Sequence, residues 1–226
     1  MNNINHNKFN PNNLIIKAPK TNTKGLGATL KVYYKNEDES ISFRTQTPKM
    51  IQAFELGVDK RDDGSIGYSF NLSFRGDEED IKIEKFRKMI EQMDEYNINY
   101  ATENSELIFG KKKSREVVEE NYTPMVKYSK KEGYRPTLKV KMPVYDDKPS
   151  FTVFNKDREI IPIYSETDGI DLSIFTGGSE AVHILEFHSL WKTNNKFGGR
   201  WKLIQTKMYT TKQLGGYIMD DSDEED

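Results

Sequence analysis

The sequence predicts a mainly β fold of the α+β class: a small Greek-key barrel interrupted by one helical block. Three observations carry this. Short segments of alternating apolar and polar residues recur between turn signals in both halves of the chain, the period of half-buried strands. Helical spacing is confined to one stretch near the middle, so the helices form an insertion rather than alternating with strands. Twelve Tyr, twelve Phe and two Trp supply large buried area to a chain that is only 35% hydrophobic and 31% charged.

The elements follow in order. Residues 1–13 read MNNINHNKFNPNN, a polar run expected to be a disordered arm. Leu14-Ile15-Ile16 opens the first strand. Leu30, Val32 and Tyr34 alternate with polar neighbours, and Ile41 and Phe43 repeat the pattern, which predicts a hairpin through Asn36-Glu37-Asp38. Met50 to Leu56 comes next. After an Asp62-Asp63-Gly64 turn, Tyr68, Phe70, Leu72 and Phe74 alternate strictly.

The period then changes. Ile83, Phe86, Ile90 and Met93 fall at helical spacing over Glu79 to Tyr96, with Asp77 and Glu78 at the start, where the helix dipole favours acids. A second short helix is expected over Asn97 to Leu107. A third is expected from Ser114, an N-cap, to Asn121. The helical insertion thus spans about residues 77–122.

Strands return at Met125 to Tyr128. Thr137 to Met142 alternates and stops at Pro143, and a turn at Asp146–Pro149 predicts a hairpin with Phe151 to Phe154. Ala181 to Trp191 and Trp201 to Tyr209 complete the set. Short strands with gathered helices fit a five-stranded Greek-key barrel of the OB type. The expected organisation is one domain over 14–210 and a flexible tail over 211–226.

Composition excludes several chemistries. Without cysteine there are no disulfides, thiolate metal sites or thiol nucleophiles, and the expected compartment is intracellular and reducing. No apolar run reaches the roughly 18 residues of a membrane helix, and the N-terminus carries no signal-peptide core. His6 lies in the arm, while His183 and His188 are five apart on a strand and point to opposite faces. They converge on no metal, and no catalytic residue, metal site or cofactor is expected. Gly177-Gly178-Ser179 and Gly198-Gly199-Arg200 lack the spacing of phosphate-cradling loops.

Charge is distributed unevenly. The net charge of -2 includes six acids in the last seven residues: Asp220, Asp221, Asp223, Glu224, Glu225 and Asp226. Without them thirty acids face 34 bases, so the body carries +4. From Phe187 to Met219 there is no acid at all. There Lys192, Lys196, Arg200, Lys202, Lys207 and Lys212 interleave with Phe187, Trp191, Phe197, Trp201, Tyr209 and Tyr217. Cations that follow phosphates and aromatic faces that stack on bases are what a single-strand binder needs. A second stretch, Lys111 to Lys148, holds eleven bases and six acids. Within it Lys139 and Lys141 share one face of a strand, opposite Leu138, Val140 and Met142. The expected nucleic-acid contacts are Lys139, Lys141, Trp191, Lys192, Lys196, Phe197, Arg200, Trp201, Lys202, Lys207 and Tyr209. The tail is a polyanion able to compete with phosphates and to dock on partner proteins.

Four segments carry a family likeness: Ile108-Phe109-Gly110-Lys111-Lys112, Glu116 to Pro124, Pro136 to Val144 and Lys196-Phe197-Gly198-Gly199-Arg200-Trp201-Lys202-Leu203. Over roughly residues 48–210 the chain resembles the single-stranded DNA-binding proteins of nucleocytoplasmic large DNA viruses, relatives of the single-strand binding protein of short-tailed bacteriophages. The resemblance implies an OB-fold, sequence-tolerant binding of single-stranded DNA and an acidic C-terminal tail. It also implies work in viral DNA replication, recombination or repair, at replication sites in the host cytoplasm or nucleus. The phage tails end in an aromatic residue, whereas here Tyr217 precedes the acidic run. The expected partners are single-stranded DNA and, through the tail, replication proteins; a homodimer stays open. The alternatives are a non-catalytic protein-interaction or virion structural module and an RNA-binding OB module.

Overall fold

The computed structural model describes residues 3–22, 27–60, 64–194 and 196–209. Five strands close a barrel: β1 (Met50–Gln52), β2 (Ile66–Ser73), β3 (Thr137–Met142), β4 (Glu180–Lys192) and β5 (Phe197–Met208). The ring runs β1-β2-β3-β5-β4 and returns to β1. Every neighbour pair is antiparallel except β3 with β5, which run parallel with Val140 opposite Trp201. This is the order of an OB barrel.

Alternation explains the register. Leu138 and Val140 of β3 lie opposite Leu72 and Phe70 of β2, and all four are buried. Leu185 and Phe187 of β4 face Leu203 and Trp201 of β5 in the same interior. A one-residue slip would turn these side chains into water and the lysines inward, so the core fixes the pairing. Register shifts at Ile184/Leu185 and Phe187/Ser189 bend the thirteen-residue β4. Its other edge pairs in turn with Met50–Ile51, Arg44–Gln46 and Ala28–Lys31.

The helices lie between β2 and β3. α1 (Ile81–Glu103) starts at Asp80, whose side chain accepts from the Lys82 N–H at 2.8 Å. Its apolar stripe, Ile83, Phe86, Ile90 and Met93, packs on the barrel as the spacing predicts. The stripe continues through Ile98 and Ala101, so one helix covers ground expected to hold two. α2 (Ser105–Phe109) ends at Gly110, whose φ of 77° is the left-handed stop that glycine adopts freely. α3 (Arg115–Asn121) follows Ser114 as expected.

Two expectations are corrected. Residues 3–13 are not a disordered arm. The Ile4 N–H donates to the Arg44 carbonyl at 2.7 Å, Phe9 packs on Phe43 and Tyr34, and the Tyr34 hydroxyl accepts from the Asn10 N–H. Two apolar anchors and one hydroxyl suffice to pin a polar run. Nor do β3 and Thr152–Phe154 form a hairpin. Both edges of β3 are taken by other strands, and Thr152–Phe154 runs parallel to β5, with Val153 opposite Thr206. The turn residues close a separate ladder of Val144–Tyr145 with Lys148–Pro149.

Candidate nucleic-acid interface

At one end of the barrel β3 and β5 diverge, and residues 122–127 fill the gap as a strap. Tyr122–Thr123 runs parallel to Phe197–Gly198, and Val126–Lys127 pairs with Leu138 and Thr137. Two glycines let the strap approach. A Cβ on Gly198 would lie 2.8 Å from the Thr123 carbonyl and 3.2 Å from the Trp191 ring; one on Gly199 would lie 2.2 Å from Met125 Sδ. Only glycine fits there, so the pair serves packing rather than phosphate cradling. Met125 Sδ in turn accepts from Trp201 Nε1 at 3.2 Å.

α1 anchors the strap from the other side. Asp94 is buried and accepts from the Tyr122 hydroxyl at 2.5 Å and the Met125 N–H at 3.0 Å. Burial pushes its carboxyl up to about 7, against the pull of these hydrogen bonds. Asn97 donates to the Tyr122 hydroxyl at 3.1 Å and completes the network.

Between strap, β3 and β5 lies a groove of about 240 Å³. Lys127 from the strap, Lys139 and Lys141 from β3 and Arg200 from β5 line it, and among the described residues no acidic one does. The half-buried indole of Trp191 forms one wall. The structure therefore brings together five of the expected contacts, Lys139, Lys141, Trp191, Arg200 and, at the floor, Trp201. It adds Lys127, which sequence reasoning counts only as part of a basic stretch.

The other expected contacts lie elsewhere, and two of the aromatics are buried. Trp201 is 1% exposed and Phe197 2% exposed, so neither offers a face to a base. Trp201 packs on Phe187 and Phe43 inside the barrel, and Phe197 packs on Tyr122 and Phe109 beneath the strap. They contribute core, because their positions in β5 point inward. Lys196 donates to the Glu120 carbonyl at 3.1 Å. Lys192 ends β4, half-buried. Lys207 and Tyr209 sit at the opposite end of β5. The acidic residues from Asp220 to Asp226 lie outside the described residues.

Lys202 belongs to a row that crosses the outer wall. Lys141 stands opposite Lys202, Lys202 opposite Glu186, and Glu186 opposite Arg44. Glu186 accepts from Arg44 Nε at 2.8 Å and pairs with Lys202 Nζ at 3.0 Å, with His188 at 3.4 Å. Burial alone would raise its carboxyl, but the bonds from His188, Arg44 and Lys202 outweigh burial and hold it at about 2. His183 sits on the inner face against Phe70, and burial lowers it to about 3. Among the described residues no group of three His, Asp or Glu could hold a metal ion, and no helix is long and apolar enough to cross a membrane.

Solved structures match the chain at low identity and low TM-score. The single-stranded DNA-binding protein from bacteriophage Enc34 superposes with a TM-score of 0.47 at 12% identity, covering 92% of this chain and 98% of that one. The gp2.5 single-stranded DNA-binding protein encoded by bacteriophage T7 gives 0.45 at 15% identity, covering 82% and 96%. No curated protein matches the chain. The family of unknown function DUF5871 matches residues 73–221, and the chain belongs to that family.

Proposed function

We propose that the chain is a non-catalytic, sequence-tolerant single-stranded DNA-binding protein whose primary contact is the groove under the strap. The observation that carries this is the lining itself: among the described residues, four bases, no acid and one half-exposed indole in a concave site. Cations at this density draw a phosphate backbone, and a partly exposed indole stacks on any base. A groove of about 240 Å³ lacks room for a stacked duplex and suits a single unstacked strand. The role that fits is coating of exposed template in replication, recombination or repair, with the acidic tail competing for the groove and docking on partner proteins.

The test is titration with a fluorescent oligo-dT of about 30 nucleotides against duplex DNA and RNA across a salt series. Four phosphate contacts predict a log–log salt slope near -2.8, from about 0.7 per contact on single strands. Tight binding of the single DNA strand, with quenched tryptophan fluorescence, supports the proposal. Equal affinity for RNA would favour the RNA-binding reading, and no binding at low salt would overturn both.

A further inference from the structure

Lys207 and Tyr209 belong to a second groove at the far end of the β4–β5 ribbon. Its volume is about 390 Å³. Arg158 and Lys207 line it together with Gln205, over a floor that includes Ile184, and among the described residues no carboxylate lines it. Tyr209, 36% exposed, stands at its edge. Its ring lies near two ammonium groups, Lys207 Nζ at 4.8 Å and, ion-paired with Glu180 at 2.9 Å, Lys49 Nζ at 5.6 Å from the centroid. The ring therefore gathers cations rather than presenting a bare stacking face. Cations at the mouth and an amide over an aliphatic floor suit a phosphate with its sugar and base.

The two grooves are separated along one strand. From Arg200 to Lys207 is seven residues, about 23 Å at roughly 3.3 Å each. Between them the outer wall carries the row of Lys141, Lys202 and Arg44, interrupted only by Glu186. Along β5 itself Lys202 continues the first groove, and Ile204 and Gln205 then lead to Lys207 in the second.

We propose that the second groove is a distal contact for the same nucleic-acid strand, reached only by ligands long enough to follow the ribbon. This rests on the DNA-binding function proposed above. OB barrels occupy about 4 to 16 nucleotides, and the short end of that range fits one groove while the long end spans both.

The experiment compares oligo-dT of about 6 and about 16 nucleotides, by fluorescence polarisation at low salt, on the full chain. The double variant Arg158→Glu/Lys207→Glu is expected to bind the short oligonucleotide within about twofold of the parent and the long one at least tenfold more weakly. Both proteins gain the same statistical factor from extra registers on the longer strand, so that factor cancels. Gln205→Lys adds a cation to the same groove and is expected to tighten binding of the long strand alone. This gain cannot come from misfolding. Equal long-strand affinities in all three proteins would overturn the distal contact and leave the first groove standing. Failure of the parent to bind either oligonucleotide would overturn both.

Discussion

Glu186 lies directly opposite Lys202 across the β4–β5 ladder and holds its ammonium at 3.0 Å, while taking Arg44 at 2.8 Å from the other side. One buried carboxylate thus occupies two cations on the wall beside the groove.

Glu186→Gln should release both cations. The expected outcome is tighter binding of single-stranded DNA, with a salt slope steeper by up to about 1.4, or about 0.7 for each cation newly offered to a phosphate. The cost is stability, about 1–3 kcal/mol for leaving charged groups without their partner. Thermal melts and salt-dependent titration on the same protein read both. Unchanged affinity with lowered stability would show that Lys202 and Arg44 are structural only.

The same carboxylate sets a pH dependence. Its folded pKa, about 2, lies below the ordinary 4.5, so its contribution is fully present above about pH 4.5 and is lost as pH falls toward 2. Asp94 has the opposite sign. Its folded pKa, about 7, lies above the ordinary 3.8, so its contribution is fully present below about pH 3.8 and is lost as pH rises through 7. Asp94→Asn should flatten the fall in melting temperature between pH 4 and 7 while keeping an oxygen to accept from Tyr122 and Met125. A variant that retains the parent's slope in that window would contradict the assignment.

How far the site could be read in the sequence depended on how local its causes are. Alternation in Thr137–Met142 placed Lys139 and Lys141 on the outer wall, because the period of a strand alone decides which face a residue takes. A count of aromatics carries no direction and so does not show that Trp201 and Phe197 are buried; their partners, Phe187 and Tyr122, are set by pairing across the barrel. The strap left no periodic signal. Its place follows from Gly198 and Gly199, which read as a loop yet lie within β5, and from Asp94, 31 residues before Met125. Ring order was likewise hidden: β3 joins β5 across more than fifty residues, and no local pattern names a partner at that distance.

The glycine pair gives a direct test of the strap. Gly199→Ala places a methyl group 2.2 Å from Met125 Sδ and 2.7 Å from the Phe187 ring, both in packed surroundings. The expected destabilisation is about 1–3 kcal/mol, the range for overpacked cores, with displacement of Met125 from Trp201. A red shift in tryptophan emission would report water reaching the indole. A melting temperature equal to the parent's would mean that the strap yields freely.

Removing the acidic tail tests the competition drawn from the charge distribution. A chain ending at Met219 loses six carboxylates and should bind single-stranded DNA more tightly at low salt, with the difference closing as salt screens the tail. Equal affinities at every salt concentration would leave the tail with no role at the groove.

The two tryptophans should separate function from fold. Trp191 lines the groove half-buried, whereas Trp201 is 1% exposed with its indole N–H bonded to Met125 Sδ. Trp191→Ala removes a stacking face and should cost about 1–3 kcal/mol of binding, some five- to 150-fold in Kd, with a small change in melting temperature. Trp201→Ala empties the barrel and should cost about 3–5 kcal/mol of stability. The fluorescence assignment follows: DNA should still quench the emission of Trp201→Phe, which keeps Trp191, and should leave that of Trp191→Phe almost unchanged. The reverse pattern would mean that the strap opens on binding and that the buried indole is the one that meets the strand.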